Sequence, residues 1–244
     1  MASLPSNDLR PRALVIGNSG GIGAALQRGL SSEGYIVTGR SRSRDAEGSS
    51  QDGLTIDLTC ERSIEAAAAN LRAEPPFSMI LIATGLLHDA EVVPEKAIRD
   101  LDQASLTRLF AVNTIGPALV VKHFAPLLPK RGRCIFGALS ARVGSISDNR
   151  LGGWYGYRAS KAALNMLIKT LAIELARTNP DAICVALHPG TVDTGLSKPF
   201  QKGVSGDRLF STDQAAAQLL DVLHRLEPAQ TGRCLAWDGA EIAP

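Results

Sequence analysis

No stretch of this sequence is both long and free of charge. The longest run without Asp, Glu, Lys or Arg covers residues 13–27, only 15 residues, and four of them are glycine. A membrane-crossing helix needs about 20 mostly apolar residues, so no membrane span is expected. Neither sign of charge dominates: 26 Lys and Arg stand against 24 Asp and Glu, a formal net charge of +2. No basic excess calls for a nucleic-acid partner. The four cysteines lie at 60, 134, 184 and 234; none is in a CxxC pair, and no histidines complete a zinc spacing. No metal is expected. Cys134, Cys184 and Cys234 each sit in a short apolar run, which reads as core thiols in a reducing compartment. The opening residues, MASLPSNDLRPR, lack the apolar core of a secretion signal. The expected location is the cytoplasm. Internal repeats and long linkers are also missing.

What is there is ordinary globular composition: 45% hydrophobic and 20% charged residues, with 23 glycines and 13 prolines. That excludes wholesale disorder, collagen and coiled coil. The 244 residues suffice for one large domain or two small ones. Short apolar runs recur at 13–16, 35–38, 54–56, 79–83, 134–136, 183–187 and 234–237. Strands buried on both faces read this way. Helical patterns lie between them, at 23–33, 61–73, 106–128 and 156–177, and from a cap at Thr212 or Asp213 to about Leu226. Pro117 and Pro126 mark kinks or ends in the third of these. The alternation predicts an α/β fold, one doubly wound parallel sheet of about seven strands with helices on both faces. Ligands of such a sheet bind outside the carboxyl ends of the strands.

The first strand runs into Gly17-Asn18-Ser19-Gly20-Gly21-Ile22-Gly23. Glycines here let the backbone turn sharply and approach a pyrophosphate at a helix N-terminus; a plain tight turn reads the same. After the second strand stand Arg40, Ser41, Arg42 and Arg44, with no acid between Gly34 and Asp45. A guanidinium there suits a 2′-phosphate, where an acid would suit a bare ribose; a solvated basic loop is the plainer alternative. Asp57-Leu58 ends the third strand, and either Asp57 accepts from an adenine amino group or Thr59 caps the next helix. Further along, Tyr157 and Lys161 are four apart, on one face of a helix. Ser140 follows the strand at 134–136, and Asn113 lies in the long helix before it, where a kink at Pro117 would equally employ its amide.

Taken together these residues resemble the short-chain dehydrogenase/reductases, over essentially the whole chain from Arg12 to Gly239. The family's glycine loop matches Gly17, Gly21 and Gly23, with Ser19 and Ile22 between them. Its Asn-Ser-Tyr-Lys tetrad matches Asn113, Ser140, Tyr157 and Lys161. Pro189-Gly190, Val192 and Thr194 match the segment that closes over a nicotinamide, and Ala83 and Gly85 match the turn after the fourth strand. There are departures. Ile16 replaces the usual threonine before the first glycine, and Ile82-Ala83-Thr84-Gly85 replaces Asn-Asn-Ala-Gly. Ser140 and Tyr157 stand 17 apart, wider than usual, with the extra residues in 141–153. The stretches 83–89 and 139–146 look most like the subgroup named after C-factor, a bacterial intercellular signalling protein.

The resemblance implies a single Rossmann-type domain over residues 1–244, with a flexible start at 1–11 and a substrate loop at 195–210. It implies reduction of a small-molecule carbonyl to an alcohol, or the reverse, with NADP(H) preferred over NAD(H) because of the arginines. In that reading Tyr157 is the acid, Ser140 holds the carbonyl oxygen, Lys161 also grips the cofactor ribose, and Asn113 anchors a water. An ammonium about 5 Å away at an effective dielectric near 20 contributes about 3 kcal/mol, so Lys161 is expected to draw Tyr157 below its reference pKa of about 10. Tyr155 has no ammonium four residues on and is expected to line the pocket with Trp154. A homodimer or homotetramer through the helices at 106–128 and 156–177 is expected. The alternative is a cofactor-binding signalling protein of C-factor type on the same scaffold.

Overall fold

The computed structural model describes residues 10–42, 55–202 and 205–244. Six parallel strands form the main sheet: β1 (Arg12–Ile16), β2 (Ile36–Arg40), β3 (Met79–Ile82), β4 (Cys134–Leu139), β5 (Ala182–His188) and, last in the chain, β8 (Cys234–Ala236). Their order is β2-β1-β3-β4-β5-β8, and every pairing between them is parallel. A separate two-stranded piece pairs β6 (Thr191–Val192) with β7 (Leu209–Phe210). The doubly wound sheet is as expected, but the strand count is six, not about seven, among the described residues. The run at 54–56 makes no strand within its described part. A single bond from Ile56 N–H to Ser41 C=O, 2.9 Å, stands where its ladder was expected.

The strand side chains alternate between two cores, as a two-period requires. Leu14, Ile16, Ile80, Ile82 and Phe136 face one way, against α2 (Glu61–Ala69), α4 (Gly116–Phe124) and α5 (Tyr155–Ala176). Ala13, Val15, Met79, Leu81 and Ile135 face the other, against α1 (Gly21–Ser32) and α6 (Thr212–Arg225). At about 25 cal/mol per Å² of apolar area, this two-sided burial dominates the stabilisation.

Helix ends follow local chemistry. α1 stops where Gly34 takes φ +89°, the left-handed conformation that glycine adopts freely. α2 ends at Ala69, four residues short of the expected bound. α6 is capped not by Thr212 or Asp213 but by Ser211, whose side chain accepts from Gln214 N–H while Gln214 caps back. The expected helix at 106–128 divides into α3 (Gln103–Phe110), a π turn (Ala111–Ile115), α4 and a 3₁₀ turn (Ala125–Leu127). By length and composition this run, Gln103–Leu127, would pass for a membrane span. In the fold it lays Leu109, Val120 and Phe124 into the interior.

Candidate active site

The chain leaves β1 toward β2 on one side and returns to β3 on the other. The sheet therefore reverses at β1 and β3, and a groove opens over their carboxyl ends. One chamber, about 410 Å³, is lined by Gly17, Ser19, Gly20, Ser41, Arg42, Asp57, Leu58, Ala83, Thr84 and Gly85, among others. A second, about 270 Å³, is lined by Gly21, Ile22, Ala83, Gly85, Ser140, Tyr157, Lys161, Pro189 and Thr194, among others. Gly20, Ala83, Thr84, Gly85, Gly195 and Leu196 line both, so the two form one trough.

The glycine turn is dictated by contact. Gly17 has φ +94°, and a Cβ there would lie 2.9 Å from Ala83 O. A Cβ on Gly23 would lie 2.1 Å from Gly17 O, so any side chain at 23 breaks the turn. Gly20 offers α1 no side-chain cap, and its first turn carries no acid. The free N–H groups and positive dipole end of α1 thus face the trough undiminished. Arg40 is buried at the end of β2 and lines neither chamber; its Nη1 donates to Gly39 O. Ser41 and the exposed Arg42 stand at the edge instead, and Arg44 lies outside the described residues. Asp57 accepts from Thr59 N–H and Oγ1, which holds its carboxyl low, with Arg42 adding to the effect. Thr59 is therefore not the cap of α2; Cys60 occupies that position. Val192 is buried behind Thr194, and Gly190 (φ +78°) lies against Phe210 and Trp237.

The four tetrad positions converge. Tyr157 and Lys161 are 7% and 2% exposed, and Lys161 Nζ lies 5.9 Å from the Tyr157 ring centroid. Nζ donates to Leu139 O at 2.9 Å, and Lys161 has no ion pair among the described residues. Burial without a countercharge pushes its pKa down from 10.5 to about 8. Burial also pushes Tyr157 up, which corrects the expectation that Lys161 would lower it. The cause is desolvation: the residue is 7% exposed, and the loss of hydration outweighs the ammonium beside it. Ser140 Oγ donates to Asn165 Oδ1 at 2.6 Å. Asn113 sits in the π turn, where its amide brackets Leu86, accepting from N–H at 2.8 Å and donating to C=O at 2.7 Å. The same amide nitrogen also donates to Ser160 Oγ at 3.1 Å. Trp154 packs beside Tyr157 but lines neither chamber, and Tyr155 is 41% exposed and stands outside that cluster, which corrects the expectation that the two line the pocket.

Several residues were not singled out by the sequence. Asn165 had a signal, since 157, 161 and 165 share one helix face. Glu95 had none: it is 2% exposed, and its carboxylate oxygens accept from Gly156 N–H at 3.2 and 3.3 Å, capping α5 where Trp154 supplies no cap. His188, just before Pro189, is held neutral. Burial, then Arg142, pushes its pKa to about 4.

A sequence-family model described as short chain dehydrogenase matches residues 11–205. The chain belongs to the short-chain dehydrogenase/reductase family. It is an oxidoreductase. This short-chain dehydrogenase is 33% identical over 232 residues to 1-hydroxy-2-glutathionyl-2-methyl-3-butene dehydrogenase of Rhodococcus sp. (strain AD45), covering 93% of this chain and 96% of that one. It is 32% identical over 147 residues to C-signal of Myxococcus xanthus, covering 60% of this chain and 82% of the other. Its structure resembles the NADPH-bound carbonyl reductase from chicken fatty liver, with TM-score 0.81 and 25% identity over 97% of this chain and 96% of that one. A dinucleotide fits the trough on the structure's own terms. The turn closes Gly23 onto Gly17 O with no space for a Cβ, the α1 N-terminus is uncapped, and Thr84 Oγ1 is buried beside the turn without a hydrogen-bond partner among the described residues.

Proposed function

We propose that this short-chain dehydrogenase reduces a small carbonyl compound to the alcohol with NADPH, and that Tyr157 gives the proton. One observation carries the reading: a phenol and an unpaired ammonium are buried together in the chamber that also holds Ser140, Pro189 and the glycine turn. The glycine turn, Ser41 and Arg42 would hold the phosphates, with Arg42 on the 2′-phosphate. Asp57 and Leu58 would flank the adenine, and Ala83, Gly85, Pro189 and Thr194 the remainder. Gly190 and Val192 would shape the turn from behind. A bound dihydronicotinamide supplies the hydride. As the substrate carbon accepts it, the carbonyl π pair moves to oxygen and Tyr157 gives that oxygen its phenolic proton. Its raised pKa keeps Tyr157 protonated through the neutral range, as a donor must be. Lys161, half protonated near pH 8, stands beside the ring as the neighbouring proton source. Ser140 would turn its hydroxyl from Asn165 to the substrate oxygen. Exposed Ile115, in the π turn before α4, and exposed Met166 and Ile173 on α5 support a homodimer or homotetramer through this helical face.

The test is Tyr157→Phe, which keeps the ring and removes only the hydroxyl. Cofactor affinity should hold while the reduction rate falls by on the order of 10² or more. Turnover at the wild-type rate, with chemistry rate-limiting, would remove the acid assignment. The C-factor resemblance alone carries no comparable observation for signalling, since a binding scaffold does not need the Tyr157–Lys161 pair.

A further inference from the structure

Beyond Tyr157 the chamber meets an apolar wall. Leu87, Val92, Leu109 and Ala141 pack with the tyrosine, and Val143, Trp154 and Phe200 lie against them. Trp154 is 6.2 Å from Tyr157 between ring centroids, edge to face. Its backbone is fixed in an uncommon state: φ is +52°, the only positive value outside glycine among the described residues. Glu95 O accepts from Trp154 N–H at 2.6 Å, and Arg158 ties the wall from behind, donating to Gly153 O and Val143 O. This guanidinium is committed to backbone, and every member of the cluster is uncharged.

The slot in front of Trp154 is filled by the chain itself. Phe200 stands 5.0 Å from Trp154 at 65° and 5.5 Å from His88 at 71°. Neither Trp154 nor Phe200 lines the trough. Phe200 belongs to a three-residue 3₁₀ turn (Lys198–Phe200) on the loop after β6. That loop is attached across the trough by His88 Nε2, 3.2 Å from both Gly195 O and Leu196 O. The wall is thus tied by hydrogen bonds to backbone, while the ring it receives sits on a three-residue turn.

Resting on the carbonyl-reductase reading, we infer that Phe200 is a stand-in for the substrate, and that the preferred substrates are aryl aldehydes and aryl ketones. The slot already accepts a flat aromatic ring with two edge-to-face partners. An aryl group taking that place sets its attached carbonyl beside Tyr157.

The experiment compares benzaldehyde with cyclohexanecarbaldehyde, its saturated counterpart, using NADPH and the full chain. Wild type should favour benzaldehyde in kcat/KM by up to about tenfold, the worth of one good aromatic pair. Phe200→Ala should lower the benzaldehyde KM, because a competitor for the slot is gone. Trp154→Leu should bring the ratio of the two kcat/KM values to about one, through a higher benzaldehyde KM. Competitive inhibition by benzyl alcohol over cyclohexylmethanol gives the same reading without turnover. Equal kcat/KM for the two aldehydes in wild type would overturn the substrate class but leave carbonyl reduction standing. A higher benzaldehyde KM in Phe200→Ala would overturn the stand-in role. If no aldehyde is reduced although fluorescence titration shows NADPH binding, the parent reading itself fails.

Discussion

Lys161 makes a quantitative prediction about stability. Lys161 is 2% exposed, donates to Leu139 O alone among the described residues, and has its pKa lowered by burial to about 8. In the unfolded chain the same group titrates at its ordinary 10.5. Between these values the unfolded chain holds a proton that the folded chain has released. Stability must then rise with pH, the reverse of a lysine that gains an acidic partner on folding. Each pH unit is worth about 1.4 kcal/mol, so going from pH 8 to 9.5 adds about 2 kcal/mol from this group. Tyr157 acts oppositely, because its raised pKa removes stability once the unfolded phenol ionises above about pH 10. Measurements therefore stop at 9.5.

The perturbation is Lys161→Met, which keeps the length and removes the titration. Urea unfolding of nucleotide-free wild type and variant at pH 7, 8 and 9.5 isolates the lysine by difference, since all other groups cancel. Wild type should gain about 2 kcal/mol on the variant across that range, about 4–8 °C in Tm for a chain this long. The offset at pH 7 is less informative. Removing the buried charge relieves up to about 3 kcal/mol, while losing the charged hydrogen bond to Leu139 O costs about 1.5–3. Parallel curves would refute the reasoning: Nζ would then be solvated or balanced by a countercharge.

Three further outcomes follow from named contacts. Gly23→Ala puts a methyl 2.1 Å from Gly17 O, and should cost about 1–3 kcal/mol in urea unfolding and abolish NADPH binding in a fluorescence titration. Arg42→Ala should weaken NADPH about ten- to a hundredfold by calorimetry and leave NADH unchanged, and equal wild-type affinity for both cofactors would end that assignment. Glu95→Ala strands the buried Gly156 N–H and should destabilise by about 1–3 kcal/mol with a loss in kcat, whereas Glu95→Gln keeps an acceptor and should recover most of both.

The parts of the fold legible in the sequence were those with a strong local cause. β1, β3, β4 and β5 are apolar runs buried on both faces. The Tyr157–Lys161 pair was legible because four residues on a helix is one face. The π turn around Asn113 was not, since it inserts a wider turn without interrupting the apolar pattern of 103–127. Ser211 was missed because Ser211, Thr212 and Asp213 are all good caps, and only geometry selects among them. Glu95 was illegible for a different reason. A glutamate between Pro94 and Lys96 reads as solvated, and only the tertiary fold carries it across 61 residues to Gly156.

Those distant contacts converge on α5, which explains why the candidate site tolerates its buried lysine. The helix begins at a left-handed Trp154 held by Glu95, and within its first two turns it carries Tyr157 and then Lys161, which donates to Leu139 O of β4. A fixed start means a fixed burial, and burial alone accounts for both shifted pKa values. The direction of each shift favours the neutral form, so the pair stays buried without an acid to balance it. An arginine at 161 would keep its charge at every physiological pH and could not be accommodated by releasing a proton. Lysine is the basic residue that can be buried here and still change protonation near neutrality. That property, more than the bare presence of a cation, is what a proton source beside Tyr157 requires.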